Sequence, residues 1–115
     1  MPPRELRLTP TLFHLLLCLA DAPKHGYAMM AEIEERTGGA LRPGPSSLYY
    51  SLGRLEDAGL IAETDAVAAT DDAHEERRRY YALLPAGRRR LKEELAMMAQ
   101  VLKHARSRGI VATAR

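Results

Sequence analysis

The stretch that decides the fold is PGPSSLYYSLGRLEDAGL, residues 43–60. Its opening Pro-Gly-Pro predicts a rigid turn. Leucines at helical spacing follow and would place one side of a helix on a core: Leu48, Leu52 and Leu55. We expect Ser46 or Ser47 to cap the first turn by accepting a hydrogen bond from a free amide. Gly59 can take a positive φ just after the last turn, so the stretch predicts a short helix with a glycine stop.

The side of this helix that the leucines leave unused carries hydroxyl groups and a guanidinium: Ser46, Ser47, Tyr49, Tyr50, Ser51 and Arg54. No Asp or Glu occurs between Arg42 and Gly53, so this face can lie against phosphates and base edges. We interpret the helix as the recognition helix of a winged helix-turn-helix, a mainly α fold with a small β-hairpin.

Charge is unevenly distributed along the 115 residues, a length that suits one domain, with or without a projecting helix. Residues 1–76 hold 6 Lys and Arg against 13 Asp and Glu, whereas residues 77–115 hold 11 against 2. A basic second half is typical either of a nucleic-acid surface or of a solvated helix face. The single cysteine, Cys18, excludes an internal disulfide, and the apolar run 12–20 is too short for a membrane span. We therefore expect a cytoplasmic protein.

Two helices precede the central stretch. Thr9-Pro10 predicts the start of a first helix, Pro10 to Leu19, which is apolar on nearly every side. A small domain would cover about half of such a helix, which leaves Leu12, Phe13 and Leu16 for a second subunit. Residues 21–26 break the chain, and a second helix is predicted from Tyr27 to Thr37, ended by Gly38-Gly39.

The second helix has an inner stripe in this interpretation, formed by Tyr27, Met30, Ile33 and Thr37. Lys24 and His25 precede it, and together with its first amides they predict a phosphate site, because the positive end of the helix dipole lies there. Tyr27 and Tyr49 could contact DNA or could instead be buried aromatic residues whose hydroxyl groups are hydrogen-bonded within the protein.

Residues 60–64 and 78–84 predict two strands joined by a polar hairpin, which forms a wing after the recognition helix. The hairpin tip is acidic and would be repelled by phosphate, whereas Arg77, Arg78 and Arg79 at its base would not.

The last helix, from Pro85 onward, carries an apolar seam whose members step by four and three residues: Leu91, Leu95, Met98, Leu102 and Ala105. It could pack on its own core or pair with the first helix and its copy in another chain. We predict the dimer, because an exposed stripe of this size otherwise favours aggregation. The predicted division is a DNA-binding domain over 1–84 and a dimerisation helix and tail over 85–115.

The order of these parts resembles the PadR family of bacterial transcriptional regulators over nearly the whole chain. The residues that carry the likeness are His25-Gly26-Tyr27, Ser47-Leu48-Tyr49, Leu52, Leu55-Glu56, Gly59-Leu60-Ile61, Arg79-Tyr80-Tyr81-Ala82-Leu83 and Ala86-Gly87. The resemblance implies a winged-helix dimer held by its first and last helices on an inverted-repeat operator. The chain looks like the short subgroup, which has one C-terminal helix.

The resemblance also implies roles for single residues. Tyr27 and Tyr49 fall on tyrosines that approach the DNA backbone, Ser46 and Ser47 on the start of the recognition helix, and Arg78 and Arg79 on the wing base. The chain departs from the pattern at Tyr50, where members usually have proline, and in its acidic wing tip. The predicted DNA-contacting set is Lys24, His25, Tyr27, Arg42, Ser46, Ser47, Tyr49, Tyr50, Arg54, Arg77, Arg78 and Arg79.

No arrangement of residues predicts an enzyme, a cofactor or a metal site. His14 and Cys18 lie four apart, but two ligands do not make a site. We predict a repressor that binds double-stranded DNA as a homodimer, with a hydrophobic effector pocket between first and last helices, or none. The alternative is a winged-helix interaction module that pairs through its last helix without binding an operator. Arg54 could equally pair with Glu56 or Asp57.

Overall fold

The computed structural model describes residues 6–65 and 79–112. Its elements, in chain order, are α1 (Pro10–Cys18), β1 (Lys24–His25), α2 (Gly26–Arg36), α3 (Pro45–Asp57), β2 (Ile61–Thr64), β3 (Tyr80–Leu83) and α4 (Pro85–Ser107). The strands form one antiparallel sheet in the order β1-β3-β2. The predicted class, mainly helical with a small hairpin, is confirmed.

The sheet contains one strand more than predicted. β2 and β3 pair from Ile61 opposite Leu83 to Thr64 opposite Tyr80. The additional strand, β1, lies within residues 21–26, for which the sequence predicted only a break between helices. Its Lys24 pairs with Tyr81, so β1 lies along the edge of β3 that β2 leaves open. A two-residue strand shows no alternation of polar and apolar residues, so no sequence pattern could have indicated it.

The core is formed by the three N-terminal helices, the sheet and the start of α4. Its fully buried side chains include Leu15, Met29, Leu48 and Tyr81. The expectation that this domain would cover only half of α1 is wrong, because Leu12, Phe13 and Leu16 are all buried within the single chain.

The inner stripe of α2 is also corrected. Met29 and Ile33, four residues apart, are its fully buried positions, whereas Met30 is half-buried and Tyr27 is exposed. The prediction was therefore wrong for Tyr27, which was expected on the inner stripe but lies on the exposed side of α2. Gly38 and Gly39 take φ values of +61° and +84° at the end of α2, which confirms the predicted glycine stop.

The end of α3 follows the prediction. Gly59 has a φ of +74°, and the Leu60 amide donates to the Leu55 carbonyl at 3.0 Å. This 6→1 bond and the inward turn of Leu60 are those of a Schellman cap. The cap fixes the direction in which the chain leaves α3 and enters β2.

α4 begins in the core and leaves it after two turns. Gly87 lies against the Leu60 backbone, and Leu91 is buried. The Arg88 guanidinium donates to the Ala20 carbonyl at 3.1 Å, which ties α4 to the end of α1. From Leu95 to Leu102, the large apolar side chains of α4 are exposed. The boundary between residues 84 and 85 stays a prediction.

Candidate nucleic-acid interface

The N-terminal turn of α3 presents hydroxyl groups to solvent. Gly44 is the N-cap and Pro45 opens the helix, so the expectation that Ser46 or Ser47 would cap it is wrong. Pro45 suits this position because it has no amide that needs a partner there. Both serines are exposed in the first turn.

The rest of the outer face of α3 carries two tyrosines. Tyr50 is 70% exposed and Tyr49 41%, whereas Leu48, Leu52 and Leu55 are fully buried on the opposite side. Ser51, which was placed on the outer face, is 8% exposed and belongs to the inner side. Arg54 is half-buried near the end of the helix. The outer face is therefore narrower than predicted, but it keeps its hydroxyl groups and guanidinium.

α3 comes very close to the start of α2. A Cβ placed on Gly26 would lie 2.8 Å from the Tyr49 hydroxyl oxygen and 3.0 Å from Leu48 Cδ2. Any larger residue at this position would therefore displace the Tyr49 side chain. Tyr27, the next residue, is 56% exposed. The structure thus brings the two predicted backbone-contacting tyrosines to the same end of α2.

His25 is the N-cap of α2. Its Nδ1 accepts a hydrogen bond from the Ala28 amide at 3.1 Å, so in the neutral ring the proton is on Nε2. The ring stands edge-on to that of Tyr80, with 5.3 Å between centroids. One of the helix amides expected to bind phosphate is thus already satisfied by His25.

Lys24 is held by two carboxylates of the same chain. Its ammonium lies 2.6 Å from Glu32 and 3.0 Å from Asp21. Partial burial would lower the pKa of Lys24, but hydrogen bonds to these carboxylates outweigh that effect and raise it. Glu32 also accepts from Arg36 at 2.9 Å. This geometry does not support a phosphate-binding role for Lys24.

The other predicted cations differ in their surroundings. Arg42 is exposed and pairs with Glu34, with 2.9 Å between Nη2 and Oε1. Arg79 is exposed at the base of the wing and pairs through Nε with Glu63 at 3.3 Å. Arg77 and Arg78, like the acidic wing tip, lie outside the described residues.

The predicted dimerisation residues fall into two groups. Four are buried within one chain: Leu12, Phe13, Leu16 and Leu91. Leu95, Met98 and Leu102 are exposed along α4, with Met97 and Val101 beside them, and Ala105 is half-buried. Only the second group is accessible to a partner.

A polar network that the sequence did not reveal joins α1 to α2. The Arg36 guanidinium donates to Cys18 Sγ at 3.3 Å, to the His14 carbonyl at 3.2 Å and to His14 Nδ1 at 3.2 Å. Burial is the main reason that the pKa of Cys18 rises to about 11, and the Arg36 hydrogen bond only partly offsets it. His14, Cys18 and Arg36 serve packing here.

Within residues 6–65 and 79–112, no group of three or more His, Cys, Asp or Glu side chains could hold a metal ion. Over the same residues, no helix is both long and apolar enough to cross a membrane.

A family model described as "Transcriptional regulator PadR-like family" matches residues 15–93. Solved structures share the fold, among them the following two. A PadR family transcription regulator from Clostridium difficile gives a TM-score of 0.71 at 19% identity, covering 86% of this chain and 97% of that one. Bacillus subtilis PadR, solved in complex with operator DNA, gives 0.59 at 23% identity, covering 73% and 46%.

Curated relatives are longer than this chain. An uncharacterized 37.1 kDa protein of transposon TN4556 from Streptomyces fradiae is 42% identical over 88 residues, which are 76% of this chain and 23% of that protein. A Burkholderia cenocepacia protein named 2-C-methyl-D-erythritol 4-phosphate cytidylyltransferase is 33% identical over 82 residues, 71% of this chain and 32% of that protein. The chain thus spans about a quarter to a third of these relatives.

Proposed function

The chain belongs to the PadR-like family of transcriptional regulators, and on that premise we propose that it represses transcription by binding an inverted-repeat operator as a homodimer. Family membership confirms the resemblance found in the sequence, and it supports the assignment to a regulator rather than an enzyme. The observation that carries the proposal is the outer face of α3.

That face has the chemistry of a DNA-reading surface. Ser46, Ser47, Tyr49 and Tyr50 present hydroxyl groups that can bind phosphates or base edges, and Arg54 adds a guanidinium. Buried leucines hold the opposite side of α3 rigidly on the core. The Bacillus subtilis PadR structure with operator DNA supports the same use of a shared fold.

Dimerisation is proposed from the exposed part of α4. Leu95, Met98 and Leu102 continue the four-three spacing of Leu91 beyond the core, and this spacing is typical of paired helices. Each monomer would otherwise leave a large apolar stripe in water. A second copy offers the same stripe, so a symmetric pair covers both surfaces at once.

A salt titration tests DNA binding. A duplex selected from random sequences is titrated with the protein between about 50 and 200 mM salt, where several phosphate contacts predict a steep loss of affinity. Arg54→Gln should weaken binding, whereas Lys103→Gln, the matched removal of a cation on α4, should not. A flat salt response, or failure to select any sequence, would favour the protein-interaction module instead.

Sedimentation equilibrium tests the dimer. Leu102→Glu should convert dimer to monomer and reduce operator affinity, because one charge would be buried at the seam on each chain. Gln100→Glu adds the same charge two residues away, on roughly the opposite side of the helix, and should leave the dimer intact. A wild-type monomer at working concentrations would contradict the proposal.

The effector pocket between the first and last helices stays a prediction. Because the chain itself buries the facing side of α1, a ligand would have to lie along the exposed stripe of α4. Thermal unfolding in the presence of aromatic compounds tests this, since a bound ligand raises the unfolding temperature by mass action.

A further inference from the structure

Two of the arginines predicted to meet DNA already bind carboxylates of their own chain. Arg42, which precedes the turn into α3, contacts Glu34 of α2 through both Nε (3.2 Å) and Nη2 (2.9 Å). Arg79, which precedes β3, contacts Glu63 of β2 at 3.3 Å. All four side chains are about half or more exposed, so phosphate can reach each pair.

Both pairs lie beside α3. Arg42 is three residues from the first residue of the helix. Arg79 binds Glu63 of β2, the strand that follows α3 and packs against it. The register agrees, since Glu63 lies directly opposite Tyr81, two residues after Arg79 and on the same side of the sheet.

We propose that Glu34 and Glu63 are specificity-determining residues that compete with DNA phosphates for Arg42 and Arg79, and so suppress binding to non-operator DNA. This inference rests on the proposed function. Each arginine contributes its full charge to binding only when a phosphate displaces the carboxylate, because the carboxylate otherwise neutralises the guanidinium.

The exchange affects the two kinds of DNA differently. Binding to non-operator DNA depends almost entirely on phosphate contacts and the counterions they release. When Arg42 leaves Glu34, the loss of that ion pair offsets the new phosphate contact, so the contact adds little net affinity. Operator binding has base-edge contacts from α3 as well, so it loses a smaller share of its total free energy.

The variants Glu34→Gln and Glu63→Gln remove the competitor while keeping its shape. For a random-sequence duplex of about 20 base pairs, two helical turns, each should tighten binding. The expected gain is about 1.5- to 5-fold per substitution, the range of an exposed ion pair. The slope of log affinity against log salt should steepen by up to about 0.9 per substitution, because the freed arginine can neutralise one more phosphate. The ratio of operator to random-duplex affinity should fall.

Glu35→Gln is the matched control. Glu35 neighbours Glu34 on α2 and is exposed, and it takes part in none of the ion pairs found among the described residues. Glu35→Gln changes the net charge by the same amount as Glu34→Gln. Any larger effect of Glu34→Gln on DNA affinity therefore comes from the loss of its ion pair with Arg42. Glu34→Gln should have no effect on the salt slope when Arg42 is already replaced by Gln. The same should hold for Glu63→Gln when Arg79 is replaced by Gln.

The outcomes separate the inference from the function on which it rests. If wild type binds DNA but Glu34→Gln and Glu63→Gln behave as Glu35→Gln does, the competition is refuted and the DNA-binding function stands. If either variant binds operator more weakly at an unchanged slope, that carboxylate orients its arginine, and competition is again refuted. If wild type shows no salt-dependent binding to any duplex, both fall.

Discussion

A methyl group added at Gly87 should destabilise the protein, although alanine is ordinarily the better helix residue by about 1 kcal/mol. A Cβ on Gly87 would collide with the Leu60 carbonyl oxygen and lie 2.8 Å from Leu83 Cδ1. Close carbon–oxygen contacts lie near 3.3 Å, so the start of α4 and the backbone at Leu60 would have to separate. The same carbonyl accepts from the Leu84 amide at 3.0 Å, so the shift strains that bond too.

The magnitude follows from these opposing effects. Overpacking costs about 1–3 kcal/mol and a weakened hydrogen bond about 0.5–1.5 kcal/mol, against the gain of about 1 kcal/mol in helix propensity. The expected net loss is about 0.5–3.5 kcal/mol, or roughly 2–14 °C in unfolding temperature for a domain of this size. Thermal and urea unfolding followed by circular dichroism, at one protein concentration, measure it.

Gly53→Ala is the matched control within α3. A Cβ on Gly53 would meet no atom within 4 Å, so this substitution should stabilise the protein by about 0.5–1 kcal/mol. The reasoning is refuted if Gly87→Ala is as stable as wild type, or if both substitutions shift the unfolding temperature in the same direction.

Three further predictions follow from the described contacts. Gly26→Ala should displace the Tyr49 hydroxyl, 2.8 Å from the new Cβ, and weaken operator binding several-fold with a small stability change, as anisotropy and thermal melts would show. Cys18, whose pKa burial raises to about 11, should react with iodoacetamide at pH 8 only after denaturant is added; rapid labelling of folded protein would contradict its burial. Burial, then the Arg36 charge, lowers the pKa of His14 below 6.5, so the unfolded chain binds the proton more readily. The free energy of unfolding should therefore be highest above pH 6.5 and decrease as the pH falls below 6.5. In urea unfolding measured across this range, His14→Asn should make the free energy depend less on pH.

Elements with a clear period were predictable from the sequence. The leucine spacing in residues 48–55 predicted α3. Gly59 predicted its end, because glycine tolerates the positive φ that commonly follows the last turn of a helix. The first helix was found from Thr9-Pro10, whose hydroxyl does accept from the Leu12 amide at 3.3 Å. Residue spacing, helix capping and a glycine stop depend only on neighbouring residues, so they can be recognised without knowing the tertiary fold.

Features that depend on distant partners were not predictable. The sequence predicted Lys24 as a phosphate ligand but gave no sign that Glu32, eight residues away, lies 2.6 Å from its ammonium. Ser51 lies at the edge of the α3 face, and only the packing of the neighbouring elements decides that it is buried. The coverage of α1 by its own chain likewise depends on the tertiary arrangement, which residue counts along a single helix cannot reveal.

The most direct measurement of the central claim is the set of backbone amide shifts in two-dimensional NMR as a selected duplex is added. The outer face of α3, from Ser46 to Arg54, and Tyr27 at the start of α2 should move first and most. Perturbations confined to α4, or none at saturating duplex, would contradict the assignment of α3 as the surface that meets DNA.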